Sequence, residues 1–152
     1  VRRLGALAAV IVEDAERLFE RMRLSNAECD RLRSMADGWW RLGPALAPQA
    51  ARALLYRLGP AGFADRLRLA WCRSQDDAGD RRWRELAALP ARWPVPSCPI
   101  TAADLMARGV PKGPMLGAAL REAEAAWIDA DFPTDSAVIT GIADRAAARH
   151  RA

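Results

Sequence analysis

Apolar residues in this chain recur at intervals of three and four, and nowhere do they alternate with polar ones. That spacing lays a buried stripe along one face of a helix, whereas a half-buried strand requires period two. Proline and glycine then divide the helical text into pieces. Leu4, Leu7, Ala8, Ile11, Ala15, Leu18, Phe19 and Met22 share one face of a first helix that should end near Arg23, with Glu13 and Arg17 paired on its wet side. Ser25-Asn26-Ala27-Glu28 has the form of a capping box, the Ser25 hydroxyl capping the helix while Glu28 reaches back to the Ser25 amide. Leu24 is placed to staple that turn. The second helix carries Ala27, Leu32, Met35 and Ala36 and should end near Gly38-Trp39-Trp40.

Pro48 and Pro60 stand where a first helical turn tolerates proline, opening segments that end near Leu58 and Gln75 with Gly59 between them. Asp76-Asp77-Ala78-Gly79-Asp80 reads as a polar turn, and the helix from Arg81 to about Leu89 should be stopped by Pro90. Pro94, Pro96 and Pro99 exclude a regular helix, so residues 94–100 are the expected linker between a helical body, 1–93, and a helical tail, 101–152. In the tail, Thr101 caps a short helix with Asp104 at its third position. Gly109 to Gly113 is a tight connection, Pro114 opens a longer helix through about Asp131, and Phe132-Pro133-Thr134-Asp135 precedes a last one. The expected fold is all-α: a multi-helix, bundle-like array with a C-terminal helix-hairpin-helix-like segment, packed as one compact unit. No internal repeat is present.

With 51% apolar and 28% charged residues, a chain of 152 residues has the profile of an ordinary globular domain. No apolar run approaches the ~20 residues that span a bilayer. Arg2-Arg3 before Leu4 to Val12 imitates a short signal peptide, but the pattern runs on into Glu13-Asp14 as an amphipathic helix. No targeting segment is therefore expected, and a cytoplasmic location is. A chain that begins with Val rather than Met is expected to be a fragment of a longer one.

Catalytic and metal chemistry find little footing. Cys29, Cys72 and Cys98 are odd in number and far apart, suggesting neither a disulfide framework nor a zinc site. His150, the single histidine, lies at a C-terminal end expected to fray. Asp129-Ala130-Asp131 has the spacing of a nucleotidyl-transfer metal pair, but at a helix end residues two apart diverge by about 200°. No Walker-type phosphate loop occurs. The reading gives no catalytic residue and no metal ligand.

The net charge is +4, and all but Lys112 of the 23 lysines and arginines are arginine. A GC-rich codon bias accounts for the arginine excess, since Ala, Gly and Pro are abundant too; the charge itself still draws the chain towards polyanions. The segment from Pro99 to Leu120 is a short helix, a glycine-bracketed turn and a second helix. Gly113 permits close approach, Lys112 supplies a cation, and the Met115 and Leu116 amides are donors at a positive helix end, the arrangement by which proteins hold phosphate. The same glycines would equally serve close packing of a helical hairpin. Arg81, Arg82 and Arg84 form a second candidate group within an arginine-rich stretch that includes Arg66, Arg68 and Arg73. Arg81 and Arg84 share a side opposite Trp83, so Trp83 and Trp71 read as core, and Asp76, Asp77, Asp80 and Glu85 can pair with several arginines.

Leu24-Ser25-Asn26-Ala27-Glu28 with Arg31-Leu32, Leu55-Tyr56-Arg57-Leu58-Gly59, and above all Pro99-Ile100-Thr101-Ala102-Ala103-Asp104-Leu105 through Gly109, Gly113-Pro114 and Gly117 to Trp127 form a set. Together they resemble the C-terminal half of bacterial tRNA nucleotidyltransferases, the CCA-adding enzymes and poly(A) polymerases. Ala102 stands where that family usually has glycine. The resemblance, over roughly Leu4 to Phe132, implies a body and tail that hold the tRNA acceptor arm and elbow through backbone contacts. Catalysis would belong to an N-terminal head absent from these residues, with Mg2+ and CTP or ATP as its cofactors and none here. The implied partners are tRNA and that head, with no membrane; Lys112, Gly113, Met115, Leu116, Arg81, Arg82 and Arg84 are the candidate phosphate contacts. The rival reading is a helical protein-interaction or dimerisation module, with Trp39-Trp40 and the first helix as partner surfaces.

Overall fold

A computed structural model describes residues 21 and 23–151, so the signal-peptide reading and, apart from Arg21 and Arg23, the first-helix reading lie outside the described residues. The described residues form helices α1 (Asn26–Ala36), α2 (Pro48–Arg73), α3 (Arg81–Ala87), α4 (Leu89–Arg92), α5 (Ala102–Ala107), α6 (Pro114–Asp129) and α7 (Ser136–His150), with a 3-10 turn at Trp39–Arg41. No strand occurs among them, so the fold is all-α. The helices fall into two compact units, where the sequence led us to expect one, and the division follows Val95, within the proline-rich stretch.

In the first unit, local chemistry starts and stops the helices. Ser25 caps α1 by accepting from the Glu28 amide, and the Glu28 carboxylate accepts from the Ser25 amide at 2.9 Å. That bond from the Ser25 backbone, with one from its hydroxyl, holds the Glu28 carboxyl below its ordinary range. Within α2, Gly59 takes a left-handed φ of 68° and Pro60 follows at the first turn of the second half. The two-segment reading of Pro48 to Gln75 is thus met: α2 is two helical segments joined at the non-helical Gly59, the second ending at Arg73. Pro90 behaves differently from expectation. It does not stop a helix but occupies the first turn of α4, where its missing N–H leaves no bond unmade.

The unit's core brings Leu42, Leu55, Phe63, Leu67, Ala70 and Trp83 together, and Leu32, Met35 and Leu69 join α1 to α2. Trp83 is buried and stacks on Trp71 at 5.8 Å, with ring planes 5° apart. Its indole N–H donates to Asp76 at 2.7 Å, which accounts for a polar ring atom inside the core. One carboxylate is also buried: Asp65 accepts from Arg31 Nε at 2.6 Å and Nη2 at 2.9 Å, with Arg68 at 3.2 Å. The paired fork ties α1 to α2 with direction as well as charge.

The second unit is packed on small residues. Ala119 and Ala123 of α6 and Ala143, Ala146 and Ala147 of α7 are all buried, alongside Trp127 and Ile142. Alanine at four-residue spacing lets two helix backbones approach closely. Thr101 and Asp104 complete a capping box at the start of α5, Thr101 N–H donating to Asp104 at 2.8 Å. α6 ends at Asp129, two residues short of the expected Asp131. Asp131 and Phe132 then adopt left-handed φ values of 63° and 59°. Such a backbone is costly for a bulky side chain, and burial offsets it: Phe132 is 8% exposed and packs edge-on to Trp127 at 5.0 Å. The Phe132 amide bonds the Trp127 carbonyl at 3.0 Å, closing the helix end.

The C-terminal end of α7 is tied down rather than frayed. His150 Nε2 lies 2.8 Å from Glu122 Oε2, and Arg149 donates to Oε1 of the same carboxylate. The His150 bond, then the Arg149 bond, lowers the Glu122 carboxyl from its usual range. Arg108 Nε meets Asp144 at 2.7 Å, a further tie onto α7.

Candidate nucleic-acid interface

The Pro99–Leu120 segment folds as a helical hairpin of α5, a turn and α6. Leu105 and Val110 are its buried anchors, and the Val110 amide bonds the Leu105 carbonyl at 3.1 Å. Gly109 reverses the chain with φ 89°, where a side chain would be strained. Gly113 has φ 129° and precedes Pro114 at the first turn of α6. A Cβ built at Gly113 would meet nothing within 4 Å. The glycine there is needed for backbone conformation, not for packing against this chain, and the space before it is open to a ligand.

Four of the expected contacts, Lys112, Gly113, Met115 and Leu116, meet at this turn. Lys112 and Gly113 are exposed, and Met115 is 44% exposed. Pro114 has no N–H and the Gly117 amide bonds the Gly113 carbonyl at 3.3 Å. The Met115 and Leu116 amides have no acceptor among the described residues, so two donors face outward at the positive end of a sixteen-residue helix. Lys112 makes no ion pair among the described residues. Sequence reasoning passed over Arg121. Its Nη1 lies 3.5 Å from where a Cβ on Gly117 would sit, so the guanidinium folds back towards the start of α6. The signal was available: Gly117 and Arg121 are four apart on a helix, and the glycine leaves room for the long side chain.

Arg81, Arg82 and Arg84 belong to the first unit, and the structure finds each with a local acceptor. Arg81 Nε meets Glu85 at 2.8 Å, and Arg82 Nη2 meets Asp80 at 2.8 Å. Arg84 donates to the Gly79 carbonyl. Asp80 also caps α3 by accepting the Arg82 amide, and its carboxyl is lowered chiefly by the Arg82 side-chain bond. Of the wider stretch, Arg66 is turned inward to the Ser34 carbonyl at 2.6 Å, Arg68 serves Asp65, and Arg73 lies over the Trp39 ring at 4.7 Å. Most of this arginine stretch is engaged in holding its own unit together.

Among the described residues no group of three or more His, Cys, Asp or Glu is placed to hold a metal ion. No helix among them is long and apolar enough to cross a membrane. Trp39 is half-buried against the core, whereas Trp40 is 61% exposed. No family model, curated protein or solved structure matches the chain.

Proposed function

We propose that this chain is an RNA-holding region that grips the phosphate backbone of a folded tRNA arm, as the body and tail of a tRNA nucleotidyltransferase would. The observation that carries this is the turn before α6, where a cation, an unobstructed glycine and two amides without acceptors meet. Arg121 adds a second positive group behind it. None of these groups reads a base edge, so recognition rests on shape and charge. The residues contribute positioning, and nucleotide addition would fall to a catalytic head elsewhere, with its Mg2+ and CTP or ATP. The test is binding to whole tRNA, an acceptor-arm minihelix and single-stranded RNA across a salt series. A preference for the structured RNAs is expected, with a log–log salt slope of about −0.7 to −0.9 per phosphate neutralised. Equal affinity for all three, or none, removes the proposal.

Exposed Trp40 favours a second reading, a helical protein-interaction or dimerisation module. Large aromatic side chains left in water are frequent anchors of protein interfaces. A mass in solution that rises with concentration, and falls back in Trp40→Ala, would support that reading.

A further inference from the structure

The C-terminal end of α7 meets the hairpin turn between α5 and α6. Arg151 leaves the helix with extended backbone, φ −70° and ψ 141°. Its side chain then lies along Gly109: a Cβ built on that glycine would stand 4.0 Å from Arg151 Cγ, Cδ and Nε. The stem of the arginine thus covers exposed backbone, while its charged head is left to water. Arg151 is exposed and makes no ion pair among the described residues, so its guanidinium keeps its donors. The chain just before it is fixed. Arg149 and His150 both bond the Glu122 carboxylate of α6, His150 Nε2 at 2.8 Å. A cation ordered in advance loses less freedom on meeting a ligand than a loose one does.

The end of α7 is the negative end of a helix and would by itself repel a phosphate. Arg149, His150 and Arg151 stand there, and Glu122 takes up the first two, which leaves Arg151 as the unmatched charge. Of the carboxylates on α5 and α7, Asp144 pairs with Arg108 at 2.7 Å and Asp104 is turned back to its cap at Thr101. Lys112 follows Gly109 in the same turn, and three peptide links keep their Cα atoms within about 11 Å. Two exposed cations carried by one turn suit neighbouring phosphates of a nucleic-acid backbone. We propose that Arg151 is a further RNA phosphate contact, laid against the hairpin turn by the end of α7 and held there by the Glu122 clasp. This rests on the hairpin being the phosphate-holding element. It also reaches beyond that reading, because α7 follows Phe132 and lies outside the residues that carry the family resemblance.

Binding of an acceptor-arm minihelix to the full chain, between about 50 and 200 mM salt, tests this. Wild type is compared with Arg151→Gln, Arg151→Lys, Arg145→Gln and Lys112→Glu. Losing one phosphate contact flattens the log–log slope by about 0.7 to 0.9, so the affinity of Arg151→Gln should fall about threefold less than that of wild type over this range. Arg151→Gln should also bind severalfold more weakly at the low-salt end, with an unchanged melting temperature. Arg151→Lys keeps the charge and should keep the slope. Arg145→Gln controls for net charge, since Arg145 is exposed on the same helix but folds back to 3.5 Å from a Cβ on Gly141. It should leave the slope unaltered. Equal effects of Arg145→Gln and Arg151→Gln overturn the assignment, because charge alone then accounts for both. A lowered melting temperature with an unaltered slope also overturns it, making Arg151 a packing residue on Gly109. If Lys112→Glu flattens the slope and Arg151→Gln does not, the hairpin reading stands and this inference falls. If wild type fails to bind the minihelix, both fall.

Discussion

The two units solve the same packing problem with different side chains. The first fills its core with Leu, Phe and stacked Trp71–Trp83, and holds its helices in place with arginine–carboxylate pairs such as Arg31–Asp65. The second packs on buried alanines and turns its chain on glycines and left-handed residues. The difference bears on function. In the first unit Arg31, Arg66, Arg82 and Arg84 are all bonded to acceptors of their own unit. In the second, Arg108, Arg149 and His150 hold α7, while Lys112 and Arg121 make no ion pair among the described residues. Arg41 and Arg57 of the first unit are likewise exposed and without an ion pair among the described residues; what sets the hairpin apart is the unobstructed Gly113 and the Met115 and Leu116 amides beside Lys112.

Large-to-small changes would break this contrast most sharply. Trp127→Ala removes the ring against which Phe132 packs and the donor to the Pro133 carbonyl at 2.9 Å. A cost of about 3–5 kcal/mol is expected, visible in chemical denaturation, with left-handed Phe132 losing its support. Asp65→Ala should destabilise the first unit by about 2 kcal/mol, less than the 3–5 of a fully buried pair, because the Arg31 side chain is 38% exposed and can reach water. A cost near zero would mean that the pair orients α1 on α2 without stabilising it.

Much of this was legible in the chain itself because it rests on local rules. Ser25–Glu28 and Thr101–Asp104 are three apart, and both form the capping boxes their spacing predicts. Gly59, Pro48 and Pro60 fall where a helix can break or begin. The error at Pro90 is instructive, since the same residue ends one helix or opens another according to the turn before it. The pairs Arg31–Asp65 and Arg108–Asp144 were not legible, being 34 and 36 residues apart with no local pattern to announce them. Nearer in the chain, Arg81 and Arg82 meet Glu85 and Asp80, two of the acceptors the sequence offered, whereas the Gly79 carbonyl that accepts from Arg84 had no side-chain signal.

Smaller effects sharpen the comparison. Gly109→Ala should cost about 1–2 kcal/mol from its left-handed φ alone, since the added Cβ would meet Arg151 at an ordinary 4.0 Å. A shift confined to the second unit, followed by amide exchange, is the expected result. The lowered carboxyls give the smallest effect. Glu122 in the second unit is held below its ordinary 4.5, so its contribution is present above that pH and lost as pH falls through its folded value. Glu122→Gln should therefore lower the melting temperature near neutrality and cease to matter in acid, as thermal melts between pH 2 and 7 would register.

The most direct measurement compares tRNA affinity of the wild-type chain and Lys112→Glu at low and moderate salt. A phosphate-holding hairpin predicts weaker binding by Lys112→Glu, a salt slope shallower by about 0.7 to 0.9 or more, and an unchanged melting temperature, because Lys112 is exposed and makes no ion pair among the described residues. Undiminished affinity with an unaltered slope would contradict it and leave the turn before α6 as a feature of packing alone.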